Sequence, residues 1–225
     1  MDWFPLYNSL RIALISTFLT FFIGIWIAYH VMRLPRVVKG VLDCVLTLPL
    51  VLPPTVVGFF LLKLLGPRGF FGQYLLKWWD LRITMTWYAA IFATAVVAFP
   101  LMYRTARGAF EDFDHNLLYA GQTLGLSNTF LFWRVLLPGC KQGILAGVVL
   151  SFARGLGEYG ATSMIAGYTP GRTATISTTV YQLWRESNDA LAYRWVFINL
   201  AISFAVLLAV NLLEKNSRTG GKRRA

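Results

Sequence analysis

The sequence predicts an all-α membrane protein that crosses the bilayer about five times. Its 225 residues are 56% hydrophobic and only 14% charged, whereas soluble domains usually carry about a quarter charged residues. The apolar residues form runs of roughly 20, the length that an α-helix needs to cross the hydrocarbon core. No run alternates with a period of two, which excludes a closed transmembrane barrel. We therefore expect a single transmembrane domain over residues 1–225.

The five predicted spans follow one another along the chain. They cover about residues 9–32, 41–65, 84–103, 143–165 and 195–213. Residues 1–8 are expected to be a short tail. Residues 214–225 are expected to be a short, basic and flexible tail, for which we favour attraction to anionic lipid over a regulatory role. Cys44 and Cys140 are isolated from each other, so we expect small buried side chains and neither a disulfide nor a metal site.

Lysine and arginine are divided unevenly between the two sets of predicted loops, and this predicts the orientation. One set holds twelve: Arg33, Arg36, Lys39, Arg104, Arg107, Arg134, Lys141, Lys215, Arg218, Lys222, Arg223 and Arg224. The other holds seven: Lys63, Arg68, Lys77, Arg82, Arg172, Arg185 and Arg194. Because the richer loops stay in the cytoplasm, we expect the N-terminus outside and the C-terminus inside. The net charge of +11 is spread over these blocks, which indicates membrane topology and lipid contact, not nucleic-acid binding.

One stretch between the third and fourth spans is broken by helix-ending residues. Residues 119–138 read YAGQTLGLSNTFLFWRVLLP. Gly125 can adopt the left-handed conformation that ends a helix. Ser127 and Asn128 can then cap a second helix, and Pro138 cannot easily continue it. The stretch therefore predicts two short helices with a bend, held at the membrane surface where another protein can bind them.

The same stretch resembles the EAA loop of ABC importer permeases, whose pattern is Glu-Ala-Ala-x3-Gly-x9-Ile-x-Leu-Pro. The matching residues are Tyr119, Ala120, Gly121, Gly125, Val135, Leu137 and Pro138. Tyr119 stands where the family usually has Glu, Gly121 replaces the second Ala, and Val135 replaces Ile. The resemblance implies that residues 119–138, hereafter the coupling segment, dock against a separate ATPase. It also implies a coupling loop of about residues 104–142.

A charged pair lies in the fourth predicted span. Arg154 and Glu158 are four residues apart, so one helical turn brings them to the same face, where they can form an ion pair. Charges within a span cost a few kcal/mol and usually face a bundle interior or a water-filled path. Two interpretations stay open and are compatible: the pair fixes the packing of helices, or it lines a route for an anion.

Glycines and prolines mark two further places along a possible path. Gly155, Gly157 and Gly160 match G-x-G-x-x-G, but no strand precedes them and they lie in a span, so we reject a dinucleotide site. Close helix packing or a local helix break explains them better. Pro53 and Pro54 interrupt the second span, and irregular backbone at membrane depth is tolerated against protein or a water-filled cavity. We favour a position beside the path for these prolines over a packing role alone.

These two stretches extend the resemblance to nearly the whole chain. The sequences LPLVLPPTVVG at 48–58, FARGLGEYGAT at 152–162 and PGRT at 170–173 are similar to the molybdate permeases among the ABC importers. Sulfate and tungstate permeases share much of them. The resemblance implies the type I importer fold with cytoplasmic coupling helices, in a bacterial inner membrane. It further implies a homodimer, two ATPase subunits inside and a periplasmic oxyanion-binding protein outside. The candidate path residues are Pro53, Pro54, Arg154, Gly155, Gly157, Glu158, Gly160 and Thr162.

Other motifs that would indicate chemistry are missing. No G-x4-G-K-[ST] sequence occurs, so we expect ATP and Mg²⁺ on a partner and no cofactor on this chain. No metal-ligand spacing or catalytic dyad stands out. The hydroxyl-rich stretch at 167–181 could replace the hydration of an oxyanion, although we favour an ordinary loop. Two other classes stay open: a membrane-embedded enzyme using Arg154 and Glu158, and a passive anion channel or structural membrane subunit.

Overall fold

The structure is a computed structural model that describes residues 2–221, with side chains described through Leu208. All regular structure in this range is helical. The helices are α1 (Phe4–Met32), α2 (Arg36–Val51), α3 (Pro54–Leu65), α4 (Gly72–Trp79), α5 (Trp87–Glu111), α6 (His115–Thr123), α7 (Asn128–Leu131), α8 (Leu137–Gly139), α9 (Lys141–Leu156), α10 (Gly160–Ile165), α11 (Ile176–Arg185) and α12 (Asp189–Gly221).

Helices α1, α5 and α9 form the centre of the bundle. α1 and α5 are each long and apolar enough to cross a membrane, which confirms the first and third predicted spans. Their facing sides carry small buried residues such as Ala13, Gly24 and Ala93, which let membrane helices approach closely. α1 already begins at Phe4, so the tail predicted over residues 1–8 is wrong for most of its length. Pro5 is compatible with the first turn of α1, because N–H groups in a first turn have no partner within the helix.

The second predicted span is broken into two helices. α2 and α3 meet at an angle of 107°, so the segment predicted as the second span is interrupted, as expected, at Pro53 and Pro54. The cause lies in the adjacent Pro53 and Pro54. A residue before proline is pushed to extended backbone, and both Leu52 (ψ 142°) and Pro53 (ψ 134°) are extended. Neither proline can donate the N–H that would join the two helices.

The fourth predicted span is also interrupted. α9 ends at Leu156, and α10 begins only at Gly160, so the segment predicted over 143–165 contains the local helix break expected at these glycines. At its other end α9 meets the helical stretch Asn128–Gly139 at 73°. α10 packs against α3 and α5, which places the short helices after both breaks next to each other.

Helix α12 confirms the fifth predicted span but is longer than expected. It begins at Asp189 and continues past Leu213 to Gly221, so the segment beyond Leu213 is helical as far as it is described. Lys222 to Ala225, the end of the predicted tail, lie outside the described residues. Only 11% of the most apolar stretch of α12 is buried, which leaves most of this helix facing the bilayer or another protein.

Helix α2 contacts the bundle in an unusual way, because none of its residues is buried. Cys44 on α2 is exposed, contrary to expectation, whereas Cys140 is buried as expected. Leu42 and Leu46 pack only partly against the bundle, and polar side chains join α2 to the end of α5. Asp43 accepts a hydrogen bond from Tyr103 and pairs with Arg107. Glu111 pairs with both Lys39 and Arg107. We call these five residues the α2–α5 ion network.

Candidate functional site

The turn at Gly125 has the geometry that the sequence predicts. Gly125 has φ +77°, in the left-handed region. Its N–H donates to the Gln122 carbonyl at 2.9 Å, and the Leu126 N–H donates to the Gly121 carbonyl at 3.1 Å. These two bonds form a Schellman motif, which satisfies the last carbonyls of α6. An added Cβ at Gly125 would meet nothing within 4 Å, so the backbone conformation alone selects glycine.

The second short helix is capped as expected. The Ser127 hydroxyl accepts a hydrogen bond from the Phe130 N–H at 3.2 Å, which satisfies a free donor of the first turn of α7. Gln122 reaches across the bend and donates to the Asn128 side-chain oxygen at 3.0 Å. The prediction of two short helices joined by a bend is therefore confirmed, and side chains on both sides of the bend hold its angle.

Gly121 is explained by its contact with α7. A Cβ at this position would collide with the side chain of Leu131, which is itself only 2% exposed. The departure from the family's alanine therefore lets α6 and α7 lie closer together. Tyr119 is 61% exposed, and Ala120 is also exposed, so neither side chain is used to hold the segment together.

The end of the coupling segment contains a π-helical turn. Phe132–Leu136 forms this turn, and the Leu137 N–H donates to the Phe132 carbonyl five residues back. Pro138 has no N–H, and its ring crowds the carbonyl four residues before it, which widens the preceding turn. The helix stops at Gly139, one residue after Pro138, which is close to the predicted end. Val135 and Leu137 are half-buried in this turn.

One side of the coupling segment presents large apolar residues to the outside of the chain. Every residue from Gln122 to Phe130 is exposed, and Leu124 reaches 79% exposure. Leu117, Phe130 and Trp133 are also about half exposed or more. The opposite side is fixed, because Leu136 is buried in one cluster with Phe110 of α5 and Ala28 of α1. The segment is therefore anchored to the bundle and open on its other face. Residues 104–111 of the predicted coupling loop belong to α5.

Arg154 and Glu158 form the predicted ion pair, although they do not share one helix. Arg154 Nη1 lies 2.6 Å from Glu158 Oε2. The Glu158 side chain is only 2% exposed and that of Arg154 is 29% exposed. Oε2 has no aligned hydrogen bond, so its contact with Arg154 is one of charge. A carboxylate this deeply buried depends on the arginine for its compensation.

The pair also bridges the break between α9 and α10. Glu158 Oε1 accepts a hydrogen bond of 2.7 Å from the Ala161 N–H in the first turn of α10. Arg154 lies in the last turn of α9. An anion at a helix N-terminus and a cation at a helix C-terminus both match the helix dipole. The structural interpretation of the pair therefore has direct support, and its role toward an anion stays a prediction.

The glycines and prolines of the candidate path meet at the two breaks. A Cβ on Gly160 would lie 3.0 Å from Pro54 Cβ, and one on Gly58 would lie 2.8 Å from Ala161 Cα. α3 and α10 can approach this closely only because both glycines lack side chains. Pro53 and Gly157 are exposed at the breaks. This contact brings together two stretches about 100 residues apart in the chain.

Two candidate path residues face the packed interior. A Cβ on Gly155 would lie 2.9 Å from Thr94 Cγ2 of α5, which fits the helix-packing interpretation. Thr162 is 1% exposed. The hydroxyl-rich stretch also points inward, since Thr173, Thr175, Thr178 and Thr179 are all buried. Thr175 and Thr178 form a capping box for α11, which supports an ordinary structural loop.

Sequence reasoning missed the α2–α5 ion network and the role of Gly58. Asp43 stood as a lone acid in an apolar run, and such a residue usually has a partner. In the sequence, its partner Arg107 is one of the loop charges that predict the topology. No group of three or more His, Cys, Asp and Glu side chains that could hold a metal ion occurs among the described residues.

The family of the chain follows from its sequence. Residues 20–219 match the family described as "Binding-protein-dependent transport system inner membrane component". The chain belongs to this family. The molybdenum transport system permease protein ModB of Escherichia coli K12 is 38% identical over 218 residues, which cover 96% of this chain and 95% of that protein.

Other relatives of this family include molybdenum and sulfate permeases. A putative molybdenum permease of Bacillus subtilis is 37% identical over 92% of this chain and 91% of its own length. The sulfate permease CysT of Salmonella typhimurium is 31% identical over 92% of this chain and 74% of its own. These relatives are permease subunits of membrane transport systems.

Solved structures of ABC importers share the fold. An inward-facing MetNI methionine transporter superposes with a TM-score of 0.72 at 14% identity, covering 94% of both chains. A bacterial alginate importer superposes with a TM-score of 0.76 at 17% identity, covering 95% of this chain and 78% of the other. The predicted ABC type I importer permease fold is confirmed.

Proposed function

We propose that this chain is the membrane subunit of an ATP-driven oxyanion importer whose substrate is molybdate. Two copies enclose the path, two ATPase subunits bind the cytoplasmic face, and a periplasmic binding protein delivers the anion. ATP and Mg²⁺ are held by the ATPase subunits, and this chain binds no cofactor. It lies in a bacterial inner membrane with its N-terminus outside and its C-terminus in the cytoplasm.

The open face of the coupling segment is the observation that carries the proposal. Its exposed apolar residues, including Leu124 at 79% exposure, need a partner in water, since they lie in a loop between spans. The chain itself has no phosphate-binding loop. A separate ATPase that receives this face explains both facts, and the family is named for dependence on a binding protein.

The homodimer is supported by the surfaces that one chain leaves uncovered. α2 has no buried residue, and only 11% of the most apolar stretch of α12 is buried. About five spans are too few to surround a path for a polyatomic anion. A second copy could complete the path, and closed twofold dimers are the commonest oligomers.

The packing of the coupling segment supports transmission of movement to the bundle. Leu136 and Cys140 lie in one cluster with Tyr103 and Phe110 of α5 and Val31 of α1. Packed cores shift between discrete arrangements and do not deform gradually. Closure of the ATPases would therefore move the segment and the ends of α1 and α5 together. The bundle would then alternate between inward-open and outward-open states.

Molybdate is favoured by the molybdenum permeases at 37–38% identity over more than nine-tenths of the chain. Sulfate stays a second candidate because sulfate permeases of 31–33% identity also match. Binding of molybdate, tungstate and sulfate to the complex, loaded with its solute-binding protein, distinguishes them. Stronger retention of sulfate would replace molybdate in the proposal.

A substitution at Gly125 tests the coupling role. Gly125→Val places a β-branched side chain at φ +77°, which costs about 1–2 kcal/mol or more and shifts the bend. We expect uptake of the anion to fall strongly while the ATPase still turns over. Gly125→Asn is the matched control, because asparagine tolerates the left-handed conformation, and it should retain most uptake.

Two results would contradict this role. One is normal uptake by the valine variant at normal abundance in the membrane. The other is failure of the chain to copurify with any ATP-binding subunit, since a channel or an enzyme would act alone. Turnover of a substrate by the purified chain would favour the enzyme class.

A further inference from the structure

An apolar groove of about 820 Å³ lies between α1 and the coupling segment. One wall is the second half of α1, with Phe22 and Trp26 among its residues, and the other includes Phe132 and Trp133. Trp26 is 62% exposed and Trp133 is 57% exposed, so both indoles are open to an occupant. The groove is separate from the ion pair at the breaks, and it shares Asn128, Thr129 and Trp133 with the open face of the coupling segment.

One end of the groove is basic. Arg33 lines it directly, and its guanidinium lies 3.9 Å from the centre of the Tyr29 ring. Arg33 also donates to the Tyr29 hydroxyl, which holds the side chain but leaves other N–H groups open. Arg36 follows three residues later and is exposed. Among the described residues, no acidic side chain forms an ion pair with either arginine.

We propose that this groove binds an anionic phospholipid of the cytoplasmic leaflet. The acyl chains lie against the aromatic wall, and the phosphate is bound by Arg33. The groove runs along a helix that is long and apolar enough to cross the membrane, so its natural occupant is apolar. The basic end adds charge complementarity to an anionic headgroup, and aromatic rings with arginine are typical of the membrane interface.

The location gives such a lipid contact with the moving part of the protein. Asn128 and Thr129 of α7 line the groove beside Phe132, so the lipid touches both α1 and the coupling segment. Its placement in the cytoplasmic leaflet depends on the orientation given under the proposed function. Binding itself does not depend on that orientation or on an ATPase, so the two proposals can fail separately.

Quenching of tryptophan fluorescence by brominated lipids tests the site. The full chain is placed in lipid nanodiscs, and brominated phosphatidylglycerol or brominated phosphatidylcholine is titrated in. Because the chain has eight tryptophans, the groove signal is taken as the difference from the double variant Trp26→Phe, Trp133→Phe. We expect half-quenching of this signal at about fivefold lower phosphatidylglycerol, the preference that one arginine near the surface supplies.

The variant Arg33→Gln should lose this preference for the anionic lipid. Arg104→Gln is the matched control, since Arg104 is exposed on α5 and does not line the groove, and it should keep the preference. Equal quenching by both lipids in the unmodified chain would overturn the proposal. If neither lipid quenches the groove signal, the proposal is also overturned. Crosslinks from positions 26 and 133 to a second copy would then show that a protein occupies the groove.

Discussion

Neutralising Arg154 is the sharpest test of the ion pair at the helix break. Glu158 is 2% exposed and its Oε2 lies 2.6 Å from Arg154 Nη1. Removal of the arginine charge leaves a buried carboxylate without compensation, and breaking such a pair typically costs about 3–5 kcal/mol. For a chain of this size that corresponds to a fall in Tm of roughly 6–20 °C. We therefore expect Arg154→Gln to be strongly destabilised.

The reverse change should cost much less. Glu158→Gln keeps a side-chain oxygen that can accept the 2.7 Å bond from the Ala161 N–H. The Arg154 side chain is 29% exposed, so water can solvate its charge once the carboxylate is gone. The double variant Arg154→Gln, Glu158→Gln carries no buried charge at this position, and we expect it to recover most of the stability.

Thermal unfolding of the four proteins in one detergent, followed by uptake in proteoliposomes, measures both roles. Arg104→Gln serves as the control for loss of one exposed charge. In the unmodified chain the exposed part of Arg154 is available to an anion. The double variant lacks this arginine, so we expect it to be stable but still impaired in uptake. Full recovery of uptake would leave the pair a purely structural role. Equal Tm values for Arg154→Gln and the unmodified chain would refute the reasoning about the buried carboxylate.

Three further substitutions test contacts between helices. Gly58→Val should destabilise by about 1–3 kcal/mol, since its Cβ would lie 2.8 Å from Ala161 Cα; a Tm measurement checks it. Gly121→Ala should cost about 1 kcal/mol, because the added methyl group displaces Leu131, and hydrogen exchange in α6 should rise. Asp43→Asn should loosen α2 by about 1 kcal/mol, since the network is partly exposed, and faster exchange confined to α2 would show it.

Controls for these substitutions exist within the chain. Gly40→Val adds a side chain where nothing lies within 4 Å, and it should leave α3 and α10 undisturbed. A loss of stability from Gly40→Val equal to that from Gly58→Val would count against the packing argument. Unchanged exchange in α2 after Asp43→Asn would mean that the ion network does not hold the helix.

Local chemistry made the coupling segment predictable from sequence. Gly125, Ser127 and Pro138 each act on their own neighbours, through a left-handed residue, a cap and a missing donor, and all three effects appear. The Arg154–Glu158 pair was predictable for the same reason, because the backbone keeps a helical turn up to Glu158, whose N–H donates to the Gly155 carbonyl, and a spacing of four then brings the two side chains together.

Long-range contacts decided what the sequence left open. An apolar run with two prolines can form one kinked helix or two separate helices. Which of them forms depends on the neighbours that satisfy the backbone carbonyls left without a partner. Here α10 packs against α3 through Gly58 and Gly160, which stabilises both breaks at once. The partners of Asp43 were hidden in the same way, since Tyr103 and Arg107 lie about 60 residues further along the chain.

The lack of buried residues on α2 has a consequence for biogenesis. The central helices α1, α5 and α9 are held by apolar burial within the chain. That burial can form as soon as the helices leave the insertion machinery. α2 gains less from its own chain, which gives it the ion network and the partial burial of Leu42 and Leu46, so in the proposed homodimer its final position would depend on the second copy. A subunit made in excess would then carry a loosely packed helix beside the break at Pro53. That exposed helix would distinguish an orphan copy from an assembled one for the membrane proteases that remove unassembled proteins.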